Sequence, residues 1–257
     1  VSQGTSDARV KLPYSWQMSI DASAAPPTSS HMAATPLAEE VMSDDLVRLL
    51  RSRVTSSGRS GQTQGVAPFD GSPLPPLPVS DAEDIDVAFR IARRHAATWE
   101  ATPLAHRARL LLRFHDLVYQ RRAQGLDIVQ LETGKARASA AEELADVLIT
   151  ARYYARTGER VLASERRRGA IPLLTTTRVQ HHAIGVVGVI SPWNYPLTLA
   201  ITDARAAIMA GNTVVLKPDI QTMFTALWVV EQLHQAGLPE GVLTVVNGEG
   251  QEVGPMV

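Results

Sequence analysis

Three short segments carry the side chains best suited to chemistry, and each follows a run of apolar residues. Ser191-Pro192-Trp193-Asn194 follows GVVGVI (Gly185 to Ile190), Lys217-Pro218-Asp219-Ile220 closes TVVLK (Thr213 to Lys217), and Asn247-Gly248-Glu249-Gly250 follows VLTVV (Val242 to Val246). Prolines on both sides of Asn194 stiffen the backbone around its amide. A rigid, neutral donor of that kind suits an oxyanion that develops in a transition state, because nothing has to reorganise as charge appears. The same residues read equally well as a Pro-stiffened turn with Trp193 as its anchor. Lys217 is either a snorkelling surface cation or a donor to a hydroxyl or phosphate. Of the 25 basic residues only Lys11, Lys135 and Lys217 are lysine, which tilts that choice towards a ligand. Gly248-x-Gly250-x-x-x-Gly254 is a glycine-rich loop that also resembles a pyrophosphate cradle, although glycine spacing alone is a weak signal. The histidines show no HExxH, and His181-His182 are adjacent rather than on one helical face, so no metal site is expected.

These segments need a scaffold, and the pattern around them supplies one. GVVGVI predicts a strand buried on both faces. Pro196 suits the first turn of a helix over Leu197 to Ala210, which Gly211 closes. TVVLK predicts a second buried strand, Thr222 to Ala236 a second helix closed by Gly237, and VLTVV a third strand. The order β-α-β-α-β with short connections predicts an α/β fold with a right-handed, parallel, doubly wound sheet. Ligands of such sheets bind beyond the carboxyl ends of the strands, where the three polar segments lie.

Upstream, Met42 to Val54 predicts a short helix. Residues 66 to 79 hold too many prolines for a central strand and suit an edge ribbon turning at Asp70-Gly71. Ser80 with Glu83 has capping-box spacing and predicts the start of a helix. Further helices are expected from about Pro103 to Arg122, Leu126 to Glu132, and Ser139 to Leu162, with a break at Thr133-Gly134. Arg166-Arg167-Arg168 reads as a solvated helix end or at most an interface patch. The expected organisation is a disordered, Ser/Ala/Pro-rich leader over 1–41, a helical region with edge and oligomerisation ribbons over 42–182, and a nucleotide-binding half-domain over 183–257.

The totals narrow the function. Hydrophobic residues make up 45% of the 257, enough for a packed core, and the formal net charge is -1. That balance gives no electrostatic reason to expect nucleic acid or an anionic membrane. No apolar run approaches the roughly 20 residues of a membrane span, and the first thirty residues lack a signal-peptide pattern, so a cytoplasmic protein is expected. Cysteine is absent, which excludes a disulfide, a thiolate metal site and a Cys nucleophile within these residues.

Taken together, GVVGVISPWNYP, AGNTVVLKPD and AGLPEGVLTVVNGEG resemble the aldehyde dehydrogenase superfamily, with LETGKARASAAEE (Leu131 to Glu143) similar to its helical region. The match covers about residues 66 to 257, and the wording ISPWNYPLTL with LKPD is most similar to bacterial succinate-semialdehyde dehydrogenases. The resemblance implies oxidation of a small aldehyde to a carboxylic acid with a nicotinamide cofactor. It implies that Asn194 donates to the oxyanion, and that Ile190, Ser191, Pro192 and Trp193 line the cofactor path. By the same resemblance Lys217, with Asp219 and Ile220 after it, serves the adenosine ribose, and Gly250 and Gln251 approach the adenine side. Members preferring NAD usually carry a glutamate where this chain has Ile220. Losing that carboxylate removes repulsion of a 2′-phosphate, so NADP is expected, with NAD as the second candidate.

The family's chemistry also needs a Cys nucleophile and a Glu base. The resemblance places both beyond these residues, so the chain reads as an amino-terminal part, inactive alone and poorly soluble because the half-sheet leaves an apolar edge and bare faces. When complete it would form a homodimer or homotetramer. The competing reading is a short, non-catalytic nucleotide-binding or oligomerisation partner. A different Rossmann-type reductase is disfavoured by the missing Tyr-x-x-x-Lys.

Overall fold

A computed structural model describes residues 37–171 and 174–257. The leader expected over 1–41 lies outside them except for its last five residues, which form helix α1 (Leu37–Val41). Helix α2 (Asp44–Arg51) follows, capped by Ser43. Two short strands, β1 (Gln62–Thr63) and β2 (Leu77–Pro78), pair antiparallel. The chain between them turns at Asp70-Gly71 as expected: Asp70 accepts from the N–H of Ser72 at 2.9 Å, the Asx-turn contact.

Four helices come next: α3 (Ala82–Glu100), α4 (Leu104–Gln120), α5 (Arg122–Thr133) and α6 (Arg137–Leu162). The cap of α3 corrects the sequence reading by one residue. Asp81 is the N-cap and Asp84 completes the reciprocal box. Ser80 has another task, since its hydroxyl donates to Thr55 O at 2.7 Å and accepts from Asn247 N at 3.0 Å. It thereby ties the loop after the third sheet strand to the start of the fold. The arginine run is also corrected. Residues 165–168 form strand β3 (Glu165–Arg168), which pairs antiparallel with β4 (Thr176–Val179) in an exposed ribbon, so the run ends no helix.

The last third has the expected alternation. Strand β5 (Val186–Ile190), helix α7 (Pro196–Met209), strand β6 (Thr213–Lys217), helix α8 (Met223–Gln235) and strand β7 (Leu243–Val245) follow in order, and a short helix α9 (Gly250–Val253) comes after. The sheet is parallel with order β5-β6-β7. Pro196 is the first residue of α7, where its missing N–H leaves no bond unmade.

Strand β6 is buried along its whole length. Its side chains alternate: Val214 and Leu216 join the main core, whereas Val215 packs with Ile85, Ala88 and Ala92 of α3. Both faces of the sheet are therefore covered at β6, one by α7 and α8 and the other by a helix from much earlier in the chain, which corrects the expectation of bare faces for the inner strand. The outer edge of β7 is met as well, by a bridge from Val54 and a 2.7 Å bond from Thr55 N to Val245 O. Strand β5 differs from expectation in the other direction. Only Val189 is buried in it and Ile190 is 57% exposed, because among the described residues β5 has a partner on one side alone. A continuous apolar run reported the composition of the strand correctly and its position in the sheet wrongly.

The helical region and the sheet are not separable bodies, since the described residues pack as one compact unit. Trp99 of α3 donates to Ile208 O of α7 at 3.0 Å. Arg205 of α7, fully buried, stacks over Phe114 of α4 at 5.7 Å and donates to Val147 O and Thr150 of α6. Burial holds its guanidinium at about 10, below the usual arginine value. Trp228 of α8 packs onto Gly125 of α5 so closely that a Cβ there would lie 2.5 Å from the indole ring. Gly125→Ala should gain up to about 1 kcal/mol of helix propensity and lose more to overpacking, a cost of about 1–3 kcal/mol. The urea midpoint of the variant is expected to fall, and a midpoint at or above wild type would show that this contact is not tight.

Candidate functional site

The carboxyl ends of β5 and β6 lie side by side. Ile190 is paired with Lys217, and Ser191 N donates to Lys217 O at 3.1 Å, so the Ser191–Tyr195 loop departs directly beside the lysine. Ser191 is buried, while Pro192, Trp193, Asn194 and Tyr195 are exposed. The backbone oxygen of Asn194 accepts from Lys135 Nζ at 2.9 Å. Its side-chain amide makes no hydrogen bond to the described residues and remains available to a ligand.

Lys217 is only 3% exposed. Burial pulls its ammonium below the usual lysine range, against the opposing pull of Asp219 and Glu249. Among the described residues its Nζ has no hydrogen-bond partner. The stem is buried while the ammonium at its tip keeps contact with solvent, so its three donors are left to water or a ligand. Nζ lies 4.0 Å from the point a Cβ on Gly250 would occupy, so the glycine leaves the approach to the amine open. This donor set fits a ribose diol or a phosphate ester.

The other expected contacts fare unevenly. Asp219 spends its Oδ1 on Gln221 N at 2.9 Å, capping the 3-10 turn Ile220–Thr222. It shapes the loop and lends charge to Lys217 without hydrogen-bonding to it. Ile220 lines a cleft of 330 Å³ together with Gln221, Glu132, Glu249 and the ribbon from Thr63 to Pro68. Gly250 and Gln251 are exposed on α9. Gly248 serves packing, since a Cβ there would sit 2.4 Å from Val253. Three glycines spaced along a loop therefore do not make one cradle; only Gly250 adjoins the lysine.

Four residues at this end of the sheet had no role assigned from sequence. Glu249 brings a carboxylate into the cleft beside Ile220. Glu132 and Glu143 are buried carboxylates that cap the two crossover helices, neither of which has a local side-chain cap. Glu132 accepts from Phe224 N at 2.8 Å and Thr225 N at 2.6 Å, and Glu143 accepts from Leu197 N at 3.0 Å. Lys135 joins Glu143 to the Asn194 loop. One of the four was legible in principle. Glu143 lies on the face marked by Ala140, Leu144, Val147 and Ala151, and an acid in a buried stripe asks for a partner.

Residues 54–257 match the aldehyde dehydrogenase family, four-fifths of the chain. This chain belongs to that family. It is 47% identical over 189 residues to a protein of Mycolicibacterium smegmatis named putative succinate-semialdehyde dehydrogenase, NADP(+), covering 74% of this chain and 37% of that protein. It is 35% identical over 184 residues to the chloroplastic betaine aldehyde dehydrogenase of Beta vulgaris, covering 69% and 37%. Among solved structures, a Burkholderia cenocepacia putative aldehyde dehydrogenase superposes with a TM-score of 0.74 at 31% identity, covering 79% of this chain and 42% of that one. An NAD-dependent benzaldehyde dehydrogenase from Corynebacterium glutamicum gives 0.71 at 30% identity, covering 79% and 43%. The chain thus spans a little over a third of the length of these curated relatives. No described helix is long and apolar enough to cross a membrane, and no described cluster of His, Asp and Glu could hold a metal.

The Glu132 cap carries a pH signature. Burial pushes its carboxyl up to about 7, against the two backbone N–H groups that favour the charged form. A group raised on folding stabilises the fold below its unfolded value, and that contribution is lost as pH rises through 7. The loss runs from about pH 4.5, the ordinary glutamate value, to about pH 7 and is nearly complete above it. Thermal unfolding should show stability falling over this window, and Glu132→Gln should remove that slope. A wild-type slope retained in the variant would assign it to another group.

Proposed function

We propose that these residues form the cofactor-holding and oxyanion-stabilising part of an NADP-dependent aldehyde dehydrogenase acting on a small aldehyde, with succinate semialdehyde the first candidate. The single observation that carries this reading is the Lys217 ammonium, without a hydrogen-bond partner among the described residues at the end of a buried strand, beside the loop that presents Asn194. The substrate choice is supported by the name of the Mycolicibacterium smegmatis relative and by nothing in the site itself.

In this reading the Lys217 ammonium donates to the adenosine ribose of the cofactor and, where present, its 2′-phosphate. Ile190, Ser191, Pro192 and Trp193 wall the path towards the reacting end, and Gly250 with Gln251 borders the adenine side. A bound nicotinamide would supply the hydride acceptor for the substrate carbon. Asn194 offers its amide to the substrate oxygen as that oxygen gains negative charge, which lowers the barrier without any reorganisation. No cysteine occurs among the 257 residues, so the thiol that the family chemistry uses is not supplied by them. The exposed β3–β4 ribbon supports a homo-oligomer as the assembly in which this segment works.

Cofactor preference is a contest of charges. Ile220 supplies no carboxylate, but Glu249 brings one to the same cleft. NADP is preferred if Lys217 outweighs it at the 2′-phosphate. Calorimetric titration of the purified chain should show NADP+ binding at least tenfold tighter than NAD+. Lys217→Ala should abolish most of that difference, and Glu249→Gln should widen it. The chain alone should form no NADPH from succinate semialdehyde. At least tenfold tighter NAD+ binding rejects the NADP assignment, an inert Lys217→Ala rejects the site, and aldehyde-dependent turnover rejects the division of labour.

A further inference from the structure

The loop that carries Asn194 is gripped from outside the sheet. Gly134 ends α5 in the left-handed conformation at φ +69, which turns the chain and brings Lys135 back over the sheet end. Lys135 Nζ donates to the backbone oxygen of Asn194 at 2.9 Å and to Oε1 of Glu143, and lies 4.8 Å from the Tyr195 ring centroid. The other carboxylate oxygen of Glu143 accepts from Leu197 N at 3.0 Å. The Thr198 hydroxyl donates to the Glu143 backbone oxygen at 3.1 Å. Asn194, Tyr195, Leu197 and Thr198 are all held, with Pro196 between them fixing its own φ. The Asn194 side-chain amide makes no hydrogen bond to the described residues and is left free to meet a ligand.

We propose that Lys135 and Glu143 are positioning residues for the Asn194 amide. The proposal rests on reading Asn194 as the oxyanion donor. Such a donor is effective only if it is aimed before charge appears, and a misplacement of about 1 Å is enough to lose most of its effect. The two prolines leave the backbone torsions of Trp193, Asn194 and Tyr195 to be set by other contacts. The bond to the Asn194 carbonyl sets the direction of that residue, and the bond to Leu197 sets where the helix starts. The pair must act together. The Glu143 side chain is fully buried and that of Lys135 is 16% exposed, so removing either charge strands the other.

Hydrogen–deuterium exchange of the full 257-residue chain, read by mass spectrometry, tests this. Lys135→Met should speed exchange across Trp193–Leu199 at least tenfold, while the α8 peptide, capped independently by Glu132, keeps its wild-type rate. Lys135→Arg, which keeps the cation and its donors, should recover most of the protection. The double swap Lys135→Glu with Glu143→Lys restores opposite charges but offers no donor to the Asn194 carbonyl, so it should stay fast. Wild-type exchange over 193–199 in Lys135→Met overturns the proposal. So does protection lost evenly along the chain, or Lys135→Arg behaving like Lys135→Met. None of these readouts involves a nucleotide. A chain that passes here and binds no cofactor would therefore contradict the proposed function and leave the positioning pair standing.

Discussion

Two helix N-termini buried inside a protein set the terms for the rest of this structure. The first turn of a helix has N–H groups with no partner of their own, and burial makes each one costly. Helices α7 and α8 begin deep in the molecule, just past the carboxyl ends of β5 and β6, and neither carries a capping side chain of its own. Glu143 and Glu132 answer them from helices α6 and α5, more than fifty residues away in sequence. A carboxylate at a helix start gains from the hydrogen bonds and from the helix dipole together. Because those two glutamates belong to the helical region, that region cannot be removed without uncapping the sheet's crossovers. The helical region and the sheet end are one device.

The same constraint explains why the chemistry collects where it does. A parallel sheet sends every strand end and every following helix start to one side, so polar groups needed there for capping and those needed for binding crowd together. Lys217 is the extreme case. It ends a strand in which every residue is buried, and the fold leaves its ammonium without a partner among the described residues. Folding alone would favour a hydrophobic residue at that position. A lysine with a buried stem and an amine that makes no internal bond is suited to meet a ligand at the sheet end. Lys135 solves the opposite problem: its ammonium is fully engaged, by a carboxylate, a carbonyl and an aromatic face.

Much of this was legible in the residues and some was not. The three strands, the crossover helices, the proline at the start of α7 and the turn at Asp70-Gly71 follow from period, punctuation and φ preferences, which are local. Ser80 was misread because Ser80-x-x-Glu83 and Asp81-x-x-Asp84 both satisfy a capping box, and only the fold shows that Ser80 is claimed by Thr55 and Asn247. Strand β5 was expected to be buried on both faces because apolar content does not report whether a neighbouring strand is present. An arginine run predicts a solvated helix end or an interface patch no better than an exposed strand, because all three are solvated. The roles of Glu132, Glu143 and Lys135 are contacts between distant segments. No spacing rule encodes them, although an acid inside an apolar stripe was a visible anomaly. Glu249 stands between two glycines, and a glycine pattern says nothing of the carboxylate inside it.

The central claim is that the Lys217 amine and the Asn194 amide open onto one nucleotide crevice at the carboxyl edge of the sheet. A crystal structure of this chain with NADP+ bound tests it most directly. The account predicts a ribose or 2′-phosphate oxygen about 3 Å from Lys217 Nζ, with the nicotinamide end running along Pro192 and Trp193 towards Asn194. A nucleotide seated elsewhere on the molecule, with Lys217 turned to pair with Glu249, would contradict it.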